Sequence, residues 1–147
     1  SYTFIDAKRT TNGQTHSSDY DLDYFIRGSI QYQHSRNLDV SLIFLYRDGV
    51  FFRPVTGREY IENLNVYKPI YSPMNNRKRL PDYFKLDLSL SKIWPVSETV
   101  SVVTFLNVSN LLNNKNIRQN TYNENYSEVS QLYYSKRTIY FGGMIYF

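Results

Sequence analysis

The sequence of 147 residues contains no cysteine. A disulfide framework, a thiolate metal site and a cysteine nucleophile are therefore excluded. It also has no apolar run longer than five residues, Leu42 to Tyr46 being an example. A helix that crosses a bilayer needs about 20 consecutive apolar residues, so a helical membrane protein is excluded as well. A transmembrane barrel is not, because its strands alternate between lipid and lumen and average to the hydropathy of a soluble chain. The chain opens at Ser1 with neither Met nor a basic-then-apolar leader. The expectation is that a signal has been removed or that the chain begins partway through something larger.

What the sequence has in excess is aromatic: 15 Tyr and nine Phe, 17% aromatic residues in all. Disordered segments are poor in such residues, so the chain is expected to be ordered. The formal charge is +4, a mild excess. Its sharpest concentration is Arg77, Lys78 and Arg79, a basic surface patch that could meet phosphate, or a solvated loop. No recognition helix or RNA-binding signature accompanies it, so no nucleic-acid partner is expected.

Apolar residues recur with period two. Leu22, Tyr24, Ile26, Gly28, Ile30 and Tyr32 alternate with Asp23, Phe25, Arg27, Ser29 and Gln31. Leu38 to Tyr46 and Phe84 to Trp94 repeat the pattern, followed by Val100 to Val108 and Ile139 to Phe147. Ser1 to about Arg9, with Tyr2 and Phe4 on one face, is read as the end of a sixth strand. The connections alternate too. His34 to Asn37 and Pro95 to Glu98 are tight, whereas the stretches at residues 10–18, 54–82 and 118–131 are long and polar. In an up-and-down sheet this puts every long loop at one end, as in outer-membrane barrels. Strands of about 9 to 11 residues fit a tilted bilayer crossing, against about 5 to 6 in ordinary globular sheets. Tyr32 and Trp94 beside the tight turns suit an interfacial girdle. The expected fold is all-β: an antiparallel, up-and-down transmembrane β-barrel segment. Leu86, Leu88, Leu90, Val102 and Leu106 are then lipid-facing, and Arg27, Arg47, Lys85 and Asp87 lumen-facing. Packing in a soluble β-sandwich binding module is the alternative.

Three blocks carry a family resemblance: Arg79-Leu-Pro-Asp-Tyr-Phe-Lys-Leu-Asp-Leu-Ser-Leu90, Phe105-Leu-Asn-Val-Ser-Asn-Leu-Leu-Asn-Asn-Lys-Asn116 and Tyr140-Phe-Gly-Gly-Met-Ile-Tyr-Phe147. Together with Ser18-Asp-Tyr-Asp-Leu-Asp-Tyr24 they resemble the C-terminal barrel strands of TonB-dependent outer-membrane receptors. The resemblance implies a 22-stranded barrel filled by an N-terminal plug, importing a scarce ligand (siderophore, cobalamin, saccharide or peptide) with energy relayed by TonB. Residues 1–147 would be its C-terminal part, with the plug and earlier strands absent, since single-chain bacterial barrels begin at about eight strands. The implied partners are outer-membrane lipid and lipopolysaccharide, the remainder of the receptor, TonB through the plug, and a surface lipoprotein. A porin or adhesin-type barrel is the runner-up. Phe141, Ile145 and Phe147 resemble the C-terminal signal that the insertion machinery reads.

Site chemistry is sparse. There is no G-x-S-x-G elbow or phosphate-cradling glycine loop, and no spacing that assembles a nucleophile, base and orienter. The chain is read as non-enzymatic, without a cofactor, with a hydrolase barrel as the fallback. Asp19, Asp21 and Asp23 suggest calcium, but the EF-hand pattern fails at Tyr24 and Ile30. Carboxylates on the lumen face, facing cations such as Arg27 or a plug, are the preferred account. His16 and His34 fall at opposite ends of a spanning strand, so no metal site is expected. Ligand contacts are assigned to the long-loop side, with Tyr60, Tyr67, Tyr71, Tyr122 and Tyr126 as candidates, because tyrosine offers broad amphipathic contact at low entropic cost.

Overall fold

The computed structural model describes residues 1–11, 13–18 and 21–147, without the side chains of Ile5, Thr11, Gln14, His16 and Ser17. Strand β1 (Tyr2–Ile5) leads into a hairpin of β2 (Lys8–Thr11) and β3 (Gln14–Ser17). Next, β4 (Leu22–Ser35) turns at Arg36 and Asn37 into β5 (Leu38–Arg47). The long connection after it holds β6 (Phe51–Phe52), β7 (Val55–Ile61), β8 (Val66–Tyr71) and β9 (Lys78–Arg79). Strand β10 (Tyr83–Pro95) turns into β11 (Ser101–Ser109), and a hairpin of β12 (Ile117–Tyr122) and β13 (Val129–Tyr133) precedes β14 (Thr138–Tyr146).

One antiparallel sheet of six strands organises the molecule, in the order β1-β4-β5-β10-β11-β14. This is the order of the chain, so the sheet is a meander with β1 and β14 as open edges. All six strands expected from the alternation are present, with bounds that differ by a few residues. The first stops at Ile5, where a bulge follows Thr3, and Lys8 and Arg9 belong to the β2–β3 hairpin instead. The first tight turn is narrower than His34 to Asn37, because β4 continues through Ser35. The 54–82 stretch is ordered, carrying nested pairs of β6 with β9 and β7 with β8.

The register keeps like with like. Ile30, Leu42, Leu88, Val108 and Ile139 form one row across five strands, and Tyr32, Val40, Leu90, Leu106 and Phe141 form the next. Rows of Ile26, Tyr46 and Phe84, and of Gly28, Phe44 and Leu86, continue the same face toward the long loops. Lys92 is the one charge on these rows among the described residues. It sits toward the tight-turn end, with its ammonium 3.6 Å from the Trp94 ring centroid. The opposite face carries Arg27 and Lys85 level with Leu45, Arg47 level with Phe25 and Tyr83, and a polar row of Gln31, Ser41, Ser89, Asn107 and Tyr140.

Among the described residues, no second sheet is packed over the apolar face. Among the described residues, Leu80 and Val108 are the only buried hydrophobic side chains, while Ile30 is 64% and Phe141 83% exposed. A water-soluble sheet of this size buries one face under a second layer. Here the extensive contacts between elements run between hydrogen-bonded neighbours within each sheet.

Close approach fixes two glycines. A β-carbon on Gly28 would strike the Phe44 ring on the neighbouring strand, and one on Gly49 would overlap the backbone carbonyl of buried Leu80. The first obstacle is a ring that can turn, and the second is main chain. Gly49→Ala is therefore expected to cost more than the ~1–3 kcal/mol of ordinary overpacking, and Gly28→Ala less than Gly49→Ala. Thermal unfolding of the two variants checks the order, and equal midpoints would contradict it.

Candidate functional site

The three long connections all leave the same end of the sheet, and the buried polar residues among those described, Asp21, Asp48, Ser72, Asn110 and Asn116, lie in them. Asp48, just past β5, is 5% exposed. It forms an ion pair with Arg79, whose other guanidinium nitrogen lies 3.2 Å from Asp23, and it accepts the Asp23 backbone N–H at 3.0 Å. This cluster ties the end of β5 to β4 and β9. A second cluster flanks it, where the hydroxyls of Tyr24 and Tyr46 both donate to Asp82, at 2.7 and 2.9 Å. The bond from Tyr24 is the main reason that the Asp82 carboxyl titrates below the usual carboxylate range. The two tyrosine rings stack at 5.2 Å, and Phe84 meets Tyr46 edge-on.

The asparagine-rich block after β11 solves a backbone problem. Pairing of β10 with β11 begins at Leu88 and Val108, which leaves the start of β10 without a strand on that side. Asn116 takes the place of a strand residue: its Oδ1 accepts the Phe84 N–H at 3.0 Å and its Nδ2 donates to the Phe84 carbonyl at 2.8 Å. Asn110, 1% exposed and in the left-handed region at φ 53°, holds the turn from inside. Its Oδ1 accepts from Asn114 N, its Nδ2 donates to the carbonyls of Asn114 and Ser135, and its own N–H donates to Asp87 at 2.8 Å. Asparagine tolerates that backbone region better than other side chains do, which suits it to this turn.

The candidate tyrosines fall into three places. Tyr60 and Tyr67 face each other on the β7–β8 hairpin at 5.0 Å, with Arg58 lying 5.1 Å over Tyr67. Tyr122 and Tyr126 are neighbours on the β12–β13 hairpin at 6.1 Å. The hairpins touch: Arg58 donates to the Asn125 carbonyl at 2.8 Å, and the Val55 N–H donates to the Tyr122 hydroxyl at 3.2 Å. Tyr71 is apart, beneath Arg53. Tyr60, Tyr67 and Tyr71 are exposed, and Tyr122 and Tyr126 half-buried.

The basic run does not act as one patch. Pairing of β6 with β9 sets Arg79 level with Phe51 and Lys78 level with Phe52. Arg77 and Arg79 both lie over the Phe51 ring, at 4.6 and 4.2 Å, and the charge of Arg79 is matched by Asp48 and Asp23. Arg27, Arg47, Lys85 and Asp87 share the sheet face opposite the apolar rows, Lys85 pairing with Asp87 at 2.7 Å. Arg47 lies 4.9 Å over Tyr83 and donates to the Tyr134 hydroxyl at 3.3 Å, and the two tyrosines meet edge-on at 5.1 Å. Phe141, Ile145 and Phe147 project from the apolar face of the edge strand or its end, all exposed.

Asp19 lies outside the described residues. Asp21 accepts the Ala7 N–H at 3.2 Å and Asp23 pairs with Arg79, so the cation facing Asp23 is Arg79 and not Arg27. The reason is that β9 folds back beside the start of β4. Among the described residues no group of three His, Cys, Asp or Glu side chains could hold a metal ion. Asp48, Asp82, Tyr134 and the inward-turned Asn110 escaped the sequence reading. The density of asparagine in 107–116 was the available signal for the last of them.

Removing one member of a buried ion pair costs about 3–5 kcal/mol, because the other charge is left unmatched. Arg79→Met is therefore expected to destabilise strongly and Lys78→Met to stay within about 0.5 kcal/mol of wild type. Parallel denaturation curves measure both, and equal effects of the two changes would count against the Asp48 pairing. Comparison with protein-family models, with curated proteins and with solved structures gave no match to this chain.

Proposed function

We propose that the chain supplies six consecutive strands of an outer-membrane β-barrel, belonging to a plugged, 22-stranded receptor that imports a scarce ligand using energy relayed by TonB. The observation that carries the membrane reading is the apolar face, in register across five strands, with no second protein layer over it among the described residues. Lipid is the solvent that such a face fits, since acyl chains cover it without a second sheet.

Further features support the same reading. Strands of 14, 10, 13, 9 and 9 residues in β4, β5, β10, β11 and β14 reach the length of a tilted crossing. Lys92 against Trp94, beside a tight turn, has the form of an interfacial anchor whose charge reaches for water. The face with Arg27, Arg47, Lys85 and Asp87 is then the lumen wall, and the open edges of β1 and β14 pair with further strands of the barrel, as every edge must in lipid. The assignment to TonB-dependent receptors rests on the sequence blocks ending at Leu90, Asn116 and Phe147. Ligand contact is assigned to the hairpin tyrosines Tyr60, Tyr67, Tyr122 and Tyr126, with Tyr71 at the hairpin base.

Two experiments test the two halves of the proposal. In the full-length protein, Leu88→Lys is expected to cost about 2–4 kcal/mol near mid-strand and Ser89→Lys far less. The amount of heat-modifiable protein in outer membranes reports this, and equal losses at the two positions would remove the membrane assignment. Growth that depends on the full-length protein should also disappear when TonB is deleted. Growth that survives that deletion assigns the barrel to the porin or adhesin class instead.

A further inference from the structure

A cavity of about 300 Å³ opens at the long-loop end between the turn after β11 and the segment joining β13 to β14. Asn113, Asn114 and Lys115 form one wall, and Tyr133, Tyr134 and Lys136 the other. No acidic side chain lines it. Neither lysine makes an ion pair or side-chain hydrogen bond among the described residues, so two lysines line one small space without a paired carboxylate. A cavity lined by two cationic residues and no acidic one favours an anion over a cation.

The walls are tied to each other by three hydrogen bonds. Asn110 Nδ2 donates to the Ser135 carbonyl at 3.2 Å, the Arg137 N–H donates to Asn113 Oδ1 at 3.1 Å, and the Tyr134 N–H donates to the Asn116 carbonyl at 2.9 Å. Tyr134 is further fixed by Tyr83 and Arg47. The opening is thus set before any ligand arrives, which lowers the ordering cost of binding. These bonds leave the Asn113 amide nitrogen and the Asn114 amide oxygen without a hydrogen bond among the described residues, one donor and one acceptor on residues that line the cavity with the two lysines. The size is at the lower limit of ligand pockets, enough for a group of about one sugar ring.

We infer that this cavity binds an anionic, hydroxylated ring of monosaccharide size, its carboxylate or phosphate between Lys115 and Lys136 and its ring against Tyr133 and Tyr134. Lysine suits either anion because it acts as a point charge and does not demand the bidentate geometry of arginine. Tyrosine faces and amide groups suit a ring with hydroxyls at its edge. The same chemistry has two sources, a soluble acidic sugar or the phosphorylated sugars of lipopolysaccharide. The inference rests on the proposed function in one respect, that this end of the barrel is its outer mouth.

The test uses the full-length protein in detergent, titrated calorimetrically with glucuronate, glucose 6-phosphate and glucose, and separately with lipopolysaccharide vesicles. The expected result is that at least one acidic probe binds about tenfold or more tightly than glucose, and that the Lys115→Met/Lys136→Met double variant loses this advantage. Binding should also weaken as salt is raised, as screening requires. A response to glucuronate or glucose 6-phosphate assigns a soluble ligand, and a lysine-dependent response to the vesicles alone assigns the lipid headgroup. Heat-modifiable mobility of the same samples reports the barrel independently. A heat-modifiable protein that binds neither the acidic sugars nor the vesicles, or binds them equally with and without the two lysines, overturns the cavity assignment while leaving the barrel intact.

Discussion

The lateral register of the six-stranded sheet is the constraint from which the rest follows. Side chains alternate with period two, so a slip of one residue between neighbours would exchange the faces along a whole strand. At β10 such a slip would turn Lys85 and Asp87 toward the apolar rows and hide Leu86 and Leu88 among serines and charges. The matched rows therefore specify their own alignment, without a compact interior to enforce it. Burial at about 25 cal/mol per Å² holds most soluble folds together, but little of that is realised within this chain. The backbone ladder across the four inner strands takes over the part that packing plays elsewhere.

At the long-loop end the ladder stops, and different devices continue its work. The side chain of Asn116 serves Phe84 as a neighbouring strand would. Asp48 and Arg79 close the gap between β5 and the nested β6–β9 pair, where Gly49 admits the Leu80 carbonyl. Tyr24, Tyr46 and Asp82 join three separate stretches at the margin of the apolar face. Each case is a local repair of backbone or charge that the sheet geometry leaves open, and together they hold the loop bases to the sheet. The tyrosine-bearing hairpins can then be presented on a platform that these bonds hold to the sheet.

The sheet was legible in the sequence because period two is a local signal: Leu86, Leu88 and Leu90 declare their face within five residues. The loop architecture was not, because its partners are distant. Tyr24 and Asp82 are 58 residues apart, Arg47 and Tyr134 are 87 apart, and no spacing rule links them. The run Arg77-Lys78-Arg79 shows how adjacency misleads. On a strand, neighbours point to opposite sides, so two arginines share the Phe51 ring while Lys78 is directed away. The β7–β8 hairpin was hidden for a related reason, since Gly57, Glu59 and Lys68 interrupt any apolar alternation there. Tyr60 and Tyr67 were readable as aromatic candidates, but their contact depended on a pairing that the sequence did not announce. Lys115 and Lys136 looked like ordinary loop charges, because their proximity arises only when Asn110 draws the two segments together.

Each long connection is closed by its own hairpin, with Lys8 opposite Ser17, Val55 opposite Tyr71 and Ile117 opposite Tyr133 at the roots. The distance that a loop must bridge is therefore fixed at these paired residues, and residues added or removed at a tip alter only a short closure whose entropy changes with the logarithm of its length. Tip sequence can drift, lengthen or be exchanged while the six sheet strands keep their register. In evolutionary terms, such a sheet is a chassis on which the loop surface can be rewritten one hairpin at a time.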